Sequence, residues 1–235
     1  MIQIRPADQR GQADHGWLLA KHSFSFGDYY DPKEMGWGVL RVINEDRIQP
    51  GMGFGRHGHR DMEIVTYILS GQLEHKDSLG NGGVIRRGEV QRMSAGKGIL
   101  HSEFNPSPDE ATHLLQIWIE PARHGTPAGY EQQALPEDEM RGRWRLVASP
   151  DGAAGSTTIG QDARLWATVL APGEQRDYRL AAGRLAYVQV VYGQLEINGK
   201  TLSAGDGAKI ADESLLKFRA ESAAEILLFD LPPAH

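Results

Sequence analysis

Two pairs of metal-binding residue types share one spacing in the first half of the chain. His57 and His59 stand two apart in the segment GRHGHRDME, where Glu63 follows, and His101 and Glu103 stand two apart in GILHSEFN. Residues two apart on a β-strand point to the same side. If the two strands face one another across a barrel, three imidazoles and a carboxylate surround one point. Positions would remain open there for water or substrate.

A metal site competes with a plainer interpretation, in which each pair lies on an ordinary solvent-facing strand. Isolated imidazoles and a carboxylate inside a small barrel are costly without compensation, which a metal ion supplies. The second pair therefore favours a metal. Because the chain has no cysteine, thiolate sites are excluded. Imidazole with carboxylate suits Fe, Mn, Ni, Cu or Zn, and the residues alone do not rank them.

The elements that must position these pairs are predicted to be β-strands. Runs of strand length, rich in β-branched, aromatic and leucine residues, lie between frequent Gly and Pro residues, and helical patterning is weak. Many short strands with dense turns predict an all-β fold with few short helices, the latter near residues 32–35 or 136–141. The clearest runs are GVLRVI (38–43), IVTYIL (64–69), LLQIWI (114–119), LWATVL (165–170), AYVQVV (186–191) and EILLF (225–229).

An internal repeat indicates two similar barrels. The tetrapeptide GQLE occurs at residues 71–74 and again at 193–196, and each copy is followed by a "Gly-acid" turn into another run of strand type. We therefore predict two consecutive β-barrels, residues 1–130 with the metal site and residues 131–235 without one. The second has no histidine from Gln161 to Ala234. The extreme N-terminus could pack on either barrel.

Composition excludes several other classes of protein. The 235 residues are 40% hydrophobic and carry a net charge of −6, which gives no basic face for nucleic acid. The first twenty residues lack the apolar core of a signal peptide, and no segment approaches a membrane span. We expect a cytoplasmic protein that contacts neither membrane nor nucleic acid.

The residues around both pairs resemble the pirin family of the cupin superfamily. Cupins carry an HxH pair and a later His in two barrel motifs. The segments that resemble pirins most are HSFSFGDYYDP (22–32), the run from Gly53 to Glu63, YILSGQLEHKDS (67–78) with Gly80, and MSAGKGILHSE (93–103). The resemblance implies a bicupin fold whose second barrel is degenerate and lacks a metal site.

The same resemblance implies a metal bound by His57, His59, His101 and Glu103, with Glu63 as the rival carboxylate. We expect one divalent transition metal, with Fe(II) favoured and Mn, Ni, Cu, Co or Zn as alternatives. Bacterial pirin-like proteins resemble quercetin 2,3-dioxygenases, which open a flavonol ring with O2 and release carbon monoxide. Glu103 would then also be the catalytic base. The alternative is a regulatory, protein-binding module whose metal redox state controls a partner.

Several further residues receive weaker expectations. Gln116 is a candidate to hold a ligand histidine in its tautomer, or else lies on an edge strand, and Phe54 is a candidate for a wall of an aromatic substrate pocket. Glu63 remains a candidate near the metal. His75 and Asp77 are expected to form a polar hairpin. The other histidines are expected to be structural or surface residues: His15, His113, His124 and His235.

Overall fold

The computed structural model describes residues 1–233, so His235 lies outside the described residues. No helix in this range is long and apolar enough to cross a membrane. The first strands are β1 (Ile2–Arg5), β2 (Gly11–Asp14), β3 (Leu18–His22), β4 (Leu40–Ile48), β5 (Gly53–His59), β6 (Glu63–Ser70), β7 (Gln72–Asp77), β8 (Gly82–Arg86), β9 (Glu89–Ser94), β10 (Ile99–Phe104), β11 (Thr112–Ile119) and β12 (Gly129–Ala134).

The remaining strands are β13 (Arg145–Ser149), β14 (Thr157–Thr158), β15 (Arg164–Leu170), β16 (Gln175–Arg179), β17 (Leu185–Tyr192), β18 (Gln194–Ile197), β19 (Lys200–Ser203), β20 (Gly207–Ile210), β21 (Leu215–Ala220) and β22 (Ala224–Leu231). Helical structure within residues 1–233 is confined to single 3-10 turns at Ala7–Gln9, Glu137–Glu139 and Ala153–Gly155. Residues 32–35, one of the two places where a helix is predicted, form turns instead.

The N-terminal barrel comprises Gly11–Leu135 together with Thr157–Gln161. Its larger sheet has the strand order β12-β9-β6-β11-β4-β3-β2, and its smaller sheet has the order β5-β10-β7-β8. Apolar residues from both sheets meet in one buried cluster, which closes the two sheets into a barrel. The cluster contains Leu18, Ala20, Ile48, Ile68, Leu73, Ile85 and Leu114.

The C-terminal barrel repeats this plan. Its larger sheet contains the order β20-β17-β22-β15-β13, and its smaller sheet has the order β16-β21-β18-β19. Each of these strands has a counterpart at the same place in the N-terminal barrel. The two copies of GQLE begin at equivalent hairpin glycines, Gly71 with φ 75° and Gly193 with φ 83°. The all-β bicupin fold predicted from the strand pattern, the repeat and the family resemblance is confirmed.

The division of the chain differs in detail from the predicted 1–130 and 131–235. The C-terminal unit contains Met1–Arg10, Pro136–Ser156 and the chain from Asp162 onward. Strand β1 belongs to this unit because it pairs antiparallel with β20, with Ile2 opposite Ile210. The short segment Thr157–Gln161 instead belongs to the N-terminal barrel, where the backbone N–H of Ala122 donates to the carbonyl of Gly160 at 2.7 Å.

Candidate metal centre

Strands β5 and β10 bring three histidines together. The two strands are hydrogen-bonded neighbours in the small sheet, so the predicted arrangement of strands facing across the barrel is wrong. His101 lies directly opposite His57, and His59 lies opposite Ile99. Side chains on one face of neighbouring strands come into contact. The ring centroids of His57 and His101 are 4.4 Å apart, and His59 is 4.8 Å from each of the other two.

Glu103 lies beside this histidine cluster on β10. The strand alternates, with Ile99, His101 and Glu103 buried and Leu100 exposed, so His101 and Glu103 share the inner face. A β-bulge on the β5 side between them shifts the register, and Glu103 lies opposite Phe54. One ligand atom from each of His57, His59 and His101 falls within 4.8 Å of the others. Glu103 forms a second such group with His101 and His75.

The hydrogen bonds of Glu103 fix its carboxylate. Gln116 Nε2 donates to Glu103 Oε2 at 3.0 Å, and Trp118 Nε1 donates to Gln116 Oε1 at 3.2 Å. The hydrogen bond from Trp118 therefore holds the Gln116 amide in the orientation in which its Nε2 donates to Glu103. It does not lie on an edge strand, because β11 pairs with both β4 and β6. Its partner is the carboxylate and not a ligand histidine.

Burial sets the protonation of these groups. It lowers the pKa of His59 to about 4, with the His57 charge as the second cause. Burial and the charges of the neighbouring histidines lower the pKa of His101 to about 3. Burial raises the pKa of Glu103 to about 7, against the hydrogen bond from Gln116. The pKa of Asp46 on β4 is also raised to about 7, first by burial and then by the Glu103 charge. The imidazoles of His59 and His101 are thus neutral near pH 7, as metal ligands must be.

The nitrogen atoms of the cluster fit a cation. His57 Nδ1 donates to the carbonyl of Gly55 at 2.8 Å, so its Nε2 presents a lone pair. That atom lies 2.9 Å from His101 Nε2. Two imidazole nitrogens bound at about 2.0–2.1 Å to one ion, at a right angle, are about 2.9 Å apart. His59 Nε2 is buried and has no hydrogen-bond partner within residues 1–233, which is costly unless an ion binds it.

Glu63, the rival carboxylate, lies on β6 and is occupied elsewhere. It accepts the hydroxyl of Ser94 at 2.6 Å. Burial raises its pKa, and the Ser94 hydroxyl, the Arg92 charge and the Gly160 backbone oppose that rise. Among residues 1–233, Glu63 joins neither group of ligand atoms. Its contacts are those of a buried carboxylate that helps to hold residues 157–161 on the N-terminal barrel.

His75 and Asp77 lie on the predicted polar hairpin, formed by β7 and β8, but their side chains are not exposed to solvent. Both side chains are fully buried, and His75 Nε2 lies 3.0 Å from Asp77 Oδ2. His75 Nδ1 lies 3.4 Å from His101 Nδ1, and its ring stacks on Tyr130 at 4.9 Å. The two-residue periodicity of a strand could have predicted the burial of His75. Leu73 belongs to the core, and His75, two residues later, lies on the same face of β7. Asp46 and Trp118 were also missed.

A cavity of about 400 Å³ has no proposed metal ligand among the described residues that line it, but its wall includes Phe54, whose ring lies beside His57. Phe26, Tyr29, Phe54 and His22 are among its walls. Phe54 lies 6.3 Å from the His57 ring, and Phe26 packs at 5.4 Å against Trp118, which itself packs at 4.9 Å against His59. Pockets for small ligands usually measure ~300–1,000 Å³. Of the remaining described histidines, His15 is exposed at the wall of the same cavity, His124 is exposed, and His113 pairs with Glu45 at 2.9 Å.

Comparison with known proteins places the chain in a family. Residues 3–119 match Pirin, and residues 146–231 match the quercetinase C-terminal cupin domain. Quercetin 2,3-dioxygenase of Escherichia coli strain K12 is 50% identical over 233 residues, which cover 99% of this chain and 100% of that protein. A pirin-like protein of Caulobacter vibrioides is 45% identical, over 98% of this chain and 99% of that protein.

Solved structures agree with this assignment. The crystal structure of YhhW from Escherichia coli has 49% sequence identity and a TM-score of 0.97, and it covers 100% of this chain and 99% of its own. The same bacterial pirin in complex with nickel(II) has a TM-score of 0.95 at 49% identity, covering 99% of this chain and 100% of that one. The chain therefore belongs to the pirin family of the cupin superfamily.

Proposed function

We propose that this pirin is a metal-dependent dioxygenase that opens the heterocyclic ring of quercetin-like flavonols with O2 and releases carbon monoxide. The proposed ligands of the metal are His57, His59, His101 and Glu103. The observation that carries the proposal is the convergence of three imidazoles, two of them with Nε2 atoms 2.9 Å apart, beside a buried carboxylate. The 50% identical relative named quercetin 2,3-dioxygenase supports the class of reaction, an oxidoreductase.

Glu103 is proposed as the base that removes the 3-hydroxyl proton of the flavonol. In the metal-free protein burial raises the pKa of Glu103 to about 7. A bound cation would lower that pKa, so near neutral pH the carboxylate would be ionised and able to accept the proton. Gln116 donates to Oε2 of Glu103 at 3.0 Å and so fixes the orientation of the carboxylate. When bound, the divalent ion supplies positive charge that acidifies an enolic hydroxyl beside it.

The aromatic cavity is proposed to hold the flat rings of the substrate. Its volume of about 400 Å³ is in the range of small-molecule pockets. Phe26 and Phe54 offer apolar ring surfaces. Phe54 contacts His57 of the cluster, and Phe26 contacts Trp118, which packs against His59. A planar aromatic substrate stacked in this cavity would lie against Phe54, whose ring in turn lies beside His57.

Fe(II) is proposed as the native metal, and a reconstitution series tests both the metal and the reaction. Metal-free protein is loaded without oxygen with Fe, Mn, Ni, Cu, Co or Zn and is then mixed with quercetin and O2. We expect loss of flavonol absorbance and release of carbon monoxide, fastest with Fe(II). Nickel is an informative competitor because it forms a complex with the relative of 49% identity.

The matched pair of variants is Glu103→Gln and Glu63→Gln. Glu103→Gln is expected to lower turnover by ~10²–10⁴-fold, the usual contribution of a positioned base. Glu63→Gln changes an equally buried carboxylate outside both groups and is expected to keep turnover. Absence of turnover with every metal would refute the enzyme and favour the metal-containing regulatory module. Wild-type turnover in Glu103→Gln would refute the base.

A further inference from the structure

A chain of three buried side chains runs from the histidine cluster to β7. Strand β10 pairs with β7 so that His101 lies opposite Asp77 and Glu103 lies opposite His75. The Nδ1 atoms of His101 and His75 are 3.4 Å apart, and Nε2 of His75 lies 3.0 Å from Asp77 Oδ2. The far side of His101, its Nε2, faces His57.

The protons along this chain follow from Asp77. An ionised carboxylate only accepts hydrogen bonds, so His75 must carry its proton on Nε2. With a single ring proton, His75 has a lone pair on Nδ1, which accepts the proton of His101 Nδ1. His101 is left with a lone pair on Nε2, the atom that faces the cluster. Each step allows one tautomer only, provided that Asp77 stays fixed.

Asp77 is held rigidly by the turn that follows it. Its Oδ1 accepts the backbone N–H of Leu79 at 2.9 Å and of Asn81 at 3.0 Å. Asn81 Nδ2 also donates to Oδ2 at 3.1 Å. The stacking of Tyr130 on His75 restricts the imidazole plane. The carboxylate therefore has Oδ1 committed to the turn, while Oδ2 accepts from both Asn81 and His75.

We propose that His75 and Asp77 are positioning residues of the metal centre, which set the tautomer of His101 and so present its Nε2 to the ion. The proposal rests on the metal ligands given under the proposed function, but not on the flavonol reaction. Groups that orient ligand histidines through their second nitrogen typically change metal affinity by ~10–100-fold. Here the orienting group is itself a histidine backed by a carboxylate.

The second barrel supplies an internal comparison. Its GQLE copy is followed by Ile197, where the first copy is followed by His75. Ile197 pairs with Phe218 on β21, as His75 pairs with Glu103 on β10, so Leu216 takes the place of His101. Ile197, Leu216 and Phe218 all belong to one apolar core. The barrel that lacks the ligands thus also lacks the histidine behind them, whereas a purely structural His75 could have been kept.

Asp77→Asn is the decisive variant, because asparagine has the shape of aspartate but should move the ring protons of His75 and His101 to their other nitrogen atoms. The turn requires an acceptor at the Oδ1 position, where two backbone N–H groups donate. The new amide nitrogen therefore faces His75 Nε2 as a donor, and Asn81 Nδ2 can keep its bond to the oxygen at the Oδ1 position, which it reaches at 3.3 Å in the wild type. His75 must then move its proton to Nδ1, and His101 must move its proton to Nε2, where it blocks the metal.

Metal affinity and the tautomer of His101 test the proposal. Binding of Zn²⁺ and Ni²⁺ is measured by competition with a chromophoric chelator in Asp77→Asn, His75→Leu and His75→Gln. We expect ~10–100-fold weaker binding in the first two and a smaller loss in His75→Gln, whose carbonyl can still accept from His101. Long-range ¹H–¹⁵N correlation of the metal-free protein is expected to show His101 protonated on Nδ1 in wild type and on Nε2 in Asp77→Asn.

His113→Gln is the matched control, because His113 also pairs with a carboxylate, Glu45, in the same barrel but outside the cluster. It is expected to bind metal as wild type does. Asp77→Asn with a wild-type circular dichroism spectrum, affinity within threefold of wild type and His101 still protonated on Nδ1 would overturn the proposal. Equal losses in His75→Gln and His75→Leu would also count against it. Loss of affinity in a protein that never turns over quercetin would leave it standing and refute the flavonol reaction alone.

Discussion

Replacing Glu103 with glutamine should change stability in opposite directions in the metal-free and metal-loaded protein. Without metal, burial raises the pKa of Glu103 from its ordinary value of 4.5 to about 7. A carboxyl group whose pKa is raised in the folded state stabilises the fold below pH 4.5. That contribution is lost as the pH rises through 7. The loss amounts to about 3 kcal/mol for this shift.

Glutamine has no charge to bury, so the variant does not lose this stability as the pH rises. At pH 8 the metal-free Glu103→Gln variant should be more stable than wild type by up to about 3 kcal/mol, and the difference should vanish near pH 4. In excess metal the order should reverse, because a neutral amide is a weaker ligand than a carboxylate. Each tenfold loss of affinity removes about 1.4 kcal/mol of the stabilisation that metal provides.

Urea unfolding at pH 4 to 8, with chelator or with saturating Zn²⁺, measures both effects. Glu63→Gln is the control, since Glu63 is also buried with a raised pKa but joins neither group of ligand atoms within residues 1–233. Its stability difference from wild type should be the same with and without metal. If the stability difference between Glu103→Gln and wild type does not change with pH, the burial argument is refuted. If that difference does not change with added metal, Glu103 is not a ligand of the metal.

Two further predictions concern the C-terminal barrel. Arg184→Met should lower the free energy of unfolding by about 3–5 kcal/mol, because it removes the guanidinium from the buried carboxylate of Asp230, which retains the hydroxyl of Tyr178. Arg141→Met, which breaks an exposed pair, should cost less than about 1 kcal/mol in the same urea assay. Gly193→Ala should be severely destabilising, because its Cβ would lie 2.1 Å from the Ala223 carbonyl oxygen, whereas Gly199→Ala, at nearly the same φ but in open space, should cost about 1 kcal/mol by thermal unfolding. Similar melting temperatures for the two alanine variants would refute the steric argument.

The local rules of strands account for what the sequence could predict. Period two placed His57 with His59 and His101 with Glu103, and turn density with the GQLE repeat predicted the two barrels. These features depend only on residues near one another in the chain. The same rule places His75 on the inner face with Leu73, but its position in a polar hairpin concealed this.

What the sequence could not predict depends on which strands pair. The pairing of β5 directly with β10 decides that His57 and His101 are neighbours, and the bulge before Glu103 decides which residue that carboxylate faces. Asp46 comes near Glu103 from the other sheet, on a strand with no motif of its own. Contacts of this kind are settled by the packing of the whole barrel and leave no local pattern.

The pairing of β1 with β20 has a consequence for the order in which the protein can assemble. Ile2–Arg5 is synthesised before its partner, Gly207–Ile210, which follows about two hundred residues later in the chain. The intervening barrel, Gly11–Leu135, can fold while β1 is still unpaired. Through most of synthesis the nascent chain therefore carries an open strand with free backbone donors and acceptors, which is a site where another chain could pair. Removing the first ten residues would transfer that exposed edge to β20 and make it permanent.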